Sequence, residues 1–167
     1  MLIALAADLN FFTGMMNFEP LGGADEQNVV AFEQQIGFTL PKDYRRFLVE
    51  NNGAEILDQT FFVKDLEKEV MLDVLFGVTS PASRGLTLGY WLNEYEDEVA
   101  SGTLIIGKDP GGIFLIYTIA GEDQGIYYWD KNYLFSQSSD VEGNAYFVAD
   151  NFTAFCQMLR DYKPTST

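Results

Sequence analysis

The sequence contains no histidine and a single cysteine among its 167 residues. The absence of histidine excludes a Ser-His-Asp triad, a Cys-His pair and any His-ligated metal site. The lone Cys156 can form neither an internal disulfide nor a zinc cluster. It stands at an apolar helical position with no group nearby to activate it, so we expect a buried, unreactive thiol. Without a disulfide framework, a reducing compartment is favoured, and we expect a cytoplasmic protein.

Long hydrophobic runs are also missing. The longest strongly apolar stretch, residues 113–120, has the length of a strand and is far short of the about 20 residues that span a bilayer. The apolar run at residues 1–7 has no basic region before it, and Asp8 interrupts it. We therefore expect this run to pack on the domain as a strand or helix rather than to act as a signal peptide.

Basic residues are few. Ten Lys and Arg stand against 25 Asp and Glu, which gives a net charge of −15. Binding to nucleic acid or to an anionic membrane needs clustered cations, so both are disfavoured as partners. A basic protein is the electrostatically favoured partner, although an acidic excess can also serve solubility alone.

Apolar residues are plentiful, at 47% of the chain with 15% aromatics, and they suffice for one well-filled core. The length favours a single domain. We predict that residues 18–163 form this domain, that residues 1–17 are an N-terminal extension packing on it, and that residues 164–167 are a disordered tail.

The apolar periodicity predicts helices first, then strands joined by short turns, then a closing helix. The predicted helices cover residues 24–36, 41–51, 86–95 and 151–162, and the predicted strands lie near 60–63, 70–76, 103–106, 112–120, 125–130 and 146–148. This order indicates an α+β fold, in which N-terminal and C-terminal helices pack against an antiparallel meander.

Three ordered blocks carry a resemblance to a known family. The first, residues 32–53, contains Glu33, Ile36-Gly37, Leu40-Pro41, Asp43, Tyr44, Phe47-Leu48 and Asn52-Gly53. The second is a strand, a Gly-rich turn and a strand over residues 104–117, and the third is an aromatic strand that ends in Trp129-Asp130. The entry to the last helix, residues 148–155, is also similar. These blocks resemble the SUKH superfamily, which includes a yeast cell-wall synthesis regulator and bacterial immunity proteins.

The resemblance implies an α+β fold without enzymatic activity, and we expect no cofactor. It implies a protein that binds and neutralises a toxin domain, or a regulator or scaffold as in the eukaryotic relatives. The chain departs from the family pattern at Ala54, which replaces the second glycine of the usual Asn-Gly-Gly, and residues 1–17 lie outside the pattern. We interpret the shared motif residues as structural: Glu33, Gly37, Leu40, Pro41, Tyr44, Phe47, Leu48, Asn52, Gly53 and Trp129.

The densest run of charge lies at residues 94–98. Eleven acidic and two basic residues fall between Gly85 and Asp150, so the acidic excess is denser in this part of the chain than before it. A solvated loop would account for the run, whereas a binding surface would use it to steer a basic toxin domain. The residues predicted to bind a partner are Glu94, Glu96, Asp97, Glu98, Glu122, Asp123, Asp130 and Trp91.

Other chemistries have weaker support. A calcium site at residues 94–98 would use carboxylates, but the spacing is not that of an EF-hand loop. Paired carboxylates could serve a glycosidase, yet nothing marks one pair out. The Asp109-Pro-Gly-Gly112 segment favours a hairpin turn over a phosphate cradle. Alternation on the strand sends Tyr127 and Trp129 to one face and Tyr128 to the other, and the sequence does not decide which face is buried.

Two functional hypotheses therefore remain ahead of an enzyme. The first is an immunity protein that blocks a toxin domain by direct binding through an acidic and aromatic surface. The second is a general regulatory or scaffold module without a toxin partner. The sequence leaves the partner, the binding face and the oligomeric state open.

Overall fold

The computed structural model describes residues 10–79 and 83–164, in which helices pack against an antiparallel sheet. In chain order the elements are β1 (Phe18–Pro20), α1 (Glu26–Ile36), α2 (Lys42–Asn51), β2 (Ala54–Ile56), β3 (Gln59–Val63), a 3₁₀ turn (Lys64–Leu66), β4 (Lys68–Met71), β5 (Val74–Leu75), a 3₁₀ turn (Arg84–Leu86), α3 (Leu88–Glu94), β6 (Thr103–Lys108), β7 (Phe114–Thr118), β8 (Gly125–Trp129), β9 (Ala145–Ala149), α4 (Phe152–Met158) and β10 (Arg160–Asp161). The predictions for residues 1–9 and 165–167 lie outside the described residues.

Within residues 10–79 and 83–164, the main sheet has seven strands in the order β1-β2-β5-β6-β7-β8-β9, and its neighbouring strands are antiparallel. Strands β5 to β9 follow one another in chain order, which is a meander. A second sheet has three strands in the order β10-β3-β4. The predicted α+β class, with helices packed against an antiparallel meander, is confirmed.

One face of the main sheet, here called the inner face, packs against α2 and α4. The ring centroids of Tyr44 and Phe47 lie 4.9 and 4.8 Å from that of Phe152, and Tyr44 also contacts Tyr117 of β7 at 5.6 Å. Tyr44, Phe47 and Phe152 are all buried. Edge-to-face and tilted aromatic contacts of this kind stabilise beyond the area they remove from water.

The opposite face, here called the outer face, is covered in part by α3. Trp91 of α3 lies 5.1 Å from Phe114 of β7, and Tyr95, just after α3, lies 6.0 Å from Trp129 of β8. Phe114 and Trp129 are partners in the β7–β8 register, so α3 lies over one cross-strand row of this face. Alternation along β7 and β8 then places Ile116 and Tyr127 in the next row of the same face.

The family motif builds the connection between α1 and α2. Glu33 Oε2 accepts a hydrogen bond from the backbone N–H of Leu40 at 2.8 Å, and its Oε1 accepts one from Arg45 Nε at 3.1 Å. Gly37 ends α1 in the left-handed conformation, with φ 77°, which glycine adopts without a side-chain clash. Pro41 directly precedes α2, where its missing N–H needs no partner.

The end of α2 is fixed by Asn52 and Gly53. The buried Asn52 Oδ1 accepts from the N–H groups of Val78 and Thr79 at 2.8 and 3.1 Å, and its Nδ2 donates to the Thr79 carbonyl at 2.6 Å. Gly53 has φ 92°, and a Cβ there would lie 2.6 Å from the Leu75 carbonyl oxygen. These residues hold the chain against the next loop, and Ala54 continues as a buried residue of β2.

Several predicted boundaries differ from the structure. The last helix ends at Met158 rather than near residue 162, because Arg160 and Asp161 pair with Thr60 and Gln59 in the smaller sheet. The strand predicted near 70–76 divides into β4 and β5, which belong to different sheets. Strands β1 and β2 were not predicted. Helix α1 begins at Glu26, since Asp25 is its N-cap and accepts from the Asn28 N–H.

The described part of the predicted N-terminal extension, residues 10–17, contacts the core. The buried Phe12 lies edge-on to Phe47 and Phe152, with ring centroids 5.3 and 5.7 Å away. The Asn17 N–H donates to Gln59 Oε1 at 2.8 Å. Phe12 therefore extends the aromatic cluster of α2 and α4.

Asp43 links the starts of α2 and α4. Its Oδ1 accepts from the Tyr44 N–H at 2.8 Å, and its Oδ2 accepts from both the N–H and the hydroxyl of Thr153 at 2.8 Å. We predict that Asp43→Ala lowers the free energy of unfolding by about 1–3 kcal/mol, because it leaves these donors without an acceptor. Urea unfolding of this variant and of Asp65→Ala, an exposed control, measures the effect. Equal losses in the two variants would contradict the assignment.

Candidate partner-binding surface

The acidic run begins at the last residue of α3 and continues through the exposed turn that follows it. In this acidic turn, defined as residues 94–98, Tyr95 faces the sheet, while the four acidic side chains Glu94, Glu96, Asp97 and Glu98 are exposed. The N–H groups of Glu98 and Val99 both donate to the Tyr95 carbonyl, at 2.9 and 3.1 Å, and hold the turn in shape.

The acidic turn forms no ion pair with a described basic side chain. The ion pairs among the described residues lie elsewhere: they join Arg45 to Glu26 and Glu33, Arg46 to Glu50, and Lys108 to Asp73. The four carboxylates of the turn thus face solvent as a cluster of one sign. Such a cluster attracts a cationic partner over a distance set by the salt concentration.

A second acidic group lies in the turn between β7 and β8. Glu122 and Asp123 are exposed there, and the Tyr127 hydroxyl donates to the Asp123 carbonyl at 2.9 Å. Burial raises the pKa of Tyr127, and the negative charges of Asp123 and Asp150 raise it further. Asp150, which the sequence did not point to, is exposed just after β9, and its neighbour Ala149 pairs with Ile126 at the start of β8.

Asp130 is not part of this exposed surface, contrary to the expectation from the sequence. It is fully buried, and its Oδ1 accepts from the Leu134 N–H at 2.9 Å. Its Oδ2 accepts from the Phe135 N–H at 2.9 Å and from Ser138 Oγ at 2.7 Å. The carboxylate therefore organises the loop after β8 and is not available to a partner.

Trp91 serves mainly to fix α3 on the sheet. Its indole N–H donates to the Gly85 carbonyl at 2.8 Å, and its ring packs 5.8 Å from Phe76 and 5.1 Å from Phe114. The ring is partly buried in these contacts. Tyr128 and Trp129 are both buried, because α3 covers the outer face at this point while Phe61 packs on the inner face. Both faces of β8 are therefore buried at this point, with Tyr128 on the inner face and Trp129 on the outer face.

A pocket of about 340 Å³ lies beside the acidic turn. The aromatic residues Trp91, Tyr95 and Phe114 line it, together with Lys108, Lys131 and the buried Asp130. Lys131 Nζ lies 4.9 Å from the centroid of the Tyr95 ring, and Lys108 Nζ pairs with Asp73 at 2.9 Å. The two ammonium groups make this pocket less acidic than the surface around it.

The described residues offer no metal site. No three acidic or cysteine side chains in residues 10–79 and 83–164 come together in a way that could hold a metal ion. Tyr128 donates from its hydroxyl to Asp109 Oδ2 at 2.6 Å, and burial, with this bond and the nearby acids, raises its pKa. The Asp109-Pro-Gly-Gly112 segment is a hairpin turn between β6 and β7. None of the helices in residues 10–79 and 83–164 is long and apolar enough to cross a membrane.

The single cysteine is a core residue. Cys156 lies in α4 with no exposed surface, and burial followed by the negative charge of Asp43 raises the pKa of its thiol. We predict that iodoacetamide at pH 8 leaves Cys156 unmodified in the native protein and alkylates it after unfolding in guanidinium, since only the thiolate reacts. Intact-mass spectrometry measures both reactions. Native alkylation at the rate of a free thiol would contradict a buried, protonated side chain.

Comparison with known families agrees with this fold. The family model described as SMI1 / KNR4 family (SUKH-1) matches residues 23–158, which is more than half of the chain. The chain belongs to this family. The match confirms the resemblance to the SUKH superfamily, which includes toxin immunity proteins and whose members bind protein partners such as toxins.

One curated relative is the "Uncharacterized protein YobM" of Bacillus subtilis (strain 168). It is 28% identical to this chain over 129 residues, which cover 70% of this chain and 56% of the relative. The chain thus spans just over half the length of that protein.

Proposed function

We propose that this protein is an immunity protein that neutralises a toxin domain by binding it directly, without catalysis and without a cofactor. The observation that carries the proposal is the exposed acidic turn of Glu94, Glu96, Asp97 and Glu98, without ion-pair partners in the described residues, on a member of a family with known toxin immunity proteins. The partner is a toxin domain with a basic surface, such as a nuclease with a phosphate-binding cleft, and the two meet in the cytoplasm.

Electrostatics supports this choice of partner. The protein carries 15 net negative charges, which repel nucleic acid, anionic membranes and other acidic proteins. If the acidic surface of this protein covered the phosphate-binding cleft of a basic toxin domain, that domain would lose access to its substrate. Complementary charge accelerates such association by about 10- to 1000-fold and makes it sensitive to salt.

Co-expression tests the proposal. Toxin-like domains encoded beside this gene are expressed in a test cell with and without the protein, and growth is scored. We expect one of them to arrest growth, the protein to restore growth, and the two to purify as a one-to-one complex that weakens with salt. No rescue, together with a pull-down that returns several non-toxic proteins, would favour a regulatory or scaffold module instead.

A further inference from the structure

A row of apolar side chains crosses four neighbouring strands on the outer face. The register of the sheet pairs Ile105 with Ile116, Ile116 with Tyr127, and Tyr127 with Phe147. Exposure increases along this row from Ile105, at 1%, to Phe147, at 43%, with Ile116 and Tyr127 half-buried between them. The row therefore starts in the core and ends at the surface near the β9 edge. We call Tyr127 and Phe147, together with the adjoining aliphatic Ile116, the aromatic row.

The two rings of the aromatic row are held in fixed positions. Tyr127 and Phe147 lie edge to face, with centroids 5.8 Å apart and planes at 78°. The Phe147 ring also lies over Gly125, since a Cβ at that glycine would come within 3.2 Å of a ring carbon. The Tyr127 hydroxyl is tied to the Asp123 carbonyl. Rings held in this way lose little conformational entropy when a partner covers them.

The aromatic row lies beside the acidic turn. Tyr95 of that turn packs on Trp129, which is two residues from Tyr127 on the same face of β8. The Tyr127 hydroxyl donates to the carbonyl of Asp123 at 2.9 Å. Asp150 directly follows Ala149, which pairs with Ile126 beside Tyr127 on β8. Both acidic residues are exposed. The row is thus a partly exposed apolar surface with two acidic residues beside it.

We propose that a basic partner docks on the aromatic row, placing an arginine side chain on Tyr127 and Phe147 with its guanidinium group between Asp123 and Asp150. The proposal rests on the proposed function for the partner's basic character. Arginine suits this arrangement because its planar guanidinium stacks on aromatic rings and forms hydrogen bonds with carboxylates at its edge. Aromatic residues at the centre of an interface commonly carry most of its affinity.

Other occupants and other sites fit less well. A second copy of this chain would bring another 15 negative charges to an acidic surface. The pocket beside the acidic turn is lined by Lys108 and Lys131, which repel a guanidinium group.

Phe62, an aromatic residue of the smaller sheet, is 48% exposed and provides a control of matched exposure for Phe147.

A peptide titration tests the docking site without the natural partner. Acetyl-tetra-arginine amide and acetyl-tetra-lysine amide are titrated into the ¹⁵N-labelled protein at low salt, and amide shifts are mapped. We expect the largest shifts at residues 116, 123, 127, 147 and 150. We also expect the arginine peptide to bind about two- to fivefold more tightly than the lysine peptide, because only guanidinium stacks well.

Two variants make the titration decisive. Phe147→Ser should weaken arginine-peptide binding by about two- to fivefold, whereas Phe62→Ser should leave it unchanged. Thermal unfolding verifies that both variants are folded. Equal affinities for the two peptides, shifts centred on the acidic turn or the pocket, equal effects of the two variants, or no binding at millimolar peptide would each overturn the docking proposal.

The toxin complex separates this proposal from the proposed function. If the wild-type protein rescues growth, Phe147→Ser should accelerate dissociation of the purified complex, while Phe62→Ser should not. Rescue with unchanged dissociation of the Phe147→Ser complex would leave immunity standing and overturn the docking site. If no toxin is neutralised, the proposed function fails, and the peptide titration still decides whether the aromatic row binds arginine.

Discussion

Asp130→Ala is expected to lower the free energy of unfolding by about 2–4 kcal/mol, because it removes a buried carboxylate and leaves three hydrogen-bond donors of the following loop without their acceptor. These donors are the N–H groups of Leu134 and Phe135 and the hydroxyl of Ser138. Urea unfolding followed by circular dichroism measures the change. The expected loss is large for a single substitution, since a typical domain is stable by only about 5–15 kcal/mol.

Two further variants calibrate this result. Glu142→Ala removes an exposed carboxylate from the same loop and should change stability by less than about 0.5 kcal/mol. Asp130→Asn keeps one carbonyl oxygen as an acceptor and should fall between the other two. If Asp130→Ala and Glu142→Ala unfolded at the same urea concentration, Asp130 would not stabilise the loop after β8. The prediction that Asp130 binds a partner would then stand.

Neutralising the acidic turn is expected to slow association with the toxin domain by about tenfold or more at low salt. The variant carries Glu94→Gln, Glu96→Gln, Asp97→Asn and Glu98→Gln. Its dissociation rate should change little, because exposed charges at the rim of an interface act mainly on the encounter rate. Stopped-flow binding at several NaCl concentrations measures both rates, and the difference from wild type should vanish at high salt as screening increases.

A matched variant separates the local patch from the overall charge. Glu19, Asp65, Glu67 and Glu69 are exposed outside the acidic turn, and replacing them with amides also removes four negative charges. This control should retain most of the association rate. Equal slowing in both variants would mean that net charge alone steers the encounter, and an unchanged rate in the acidic-turn variant would remove that turn from the binding surface.

The helical and meander parts of the fold could be predicted because their signals are local. Gly37, Pro41 and the Asn52-Gly53 pair mark helix ends by backbone conformation, which nearby residues determine. The end of α4 could not be predicted in this way, since the pairing of Arg160 with Thr60 depends on residues 100 positions apart. Strand β1 has only three residues and ends in a proline, so it lacks a recognisable alternation.

Only part of the candidate partner-binding surface could be predicted from the sequence. Carboxylates crowded into residues 94–98 must remain solvated, so their exposure followed from their charge alone. Whether Asp130 and Trp91 face solvent depends on a loop and a helix that fold over them, which composition does not show. Phe147 and Asp150 were missed, although the alternation of Tyr146, Phe147 and Val148 placed Phe147 on the opposite face from its neighbours.

The most direct test of the central claim is a titration of toxin activity with purified protein. A binding protein without catalysis should abolish activity in proportion to the amount added, with a sharp end point at one equivalent and recovery of active toxin after separation in high salt. Complete inactivation by far less than one equivalent, or toxin that stays inactive after separation, would show that the protein acts catalytically and would contradict neutralisation by binding.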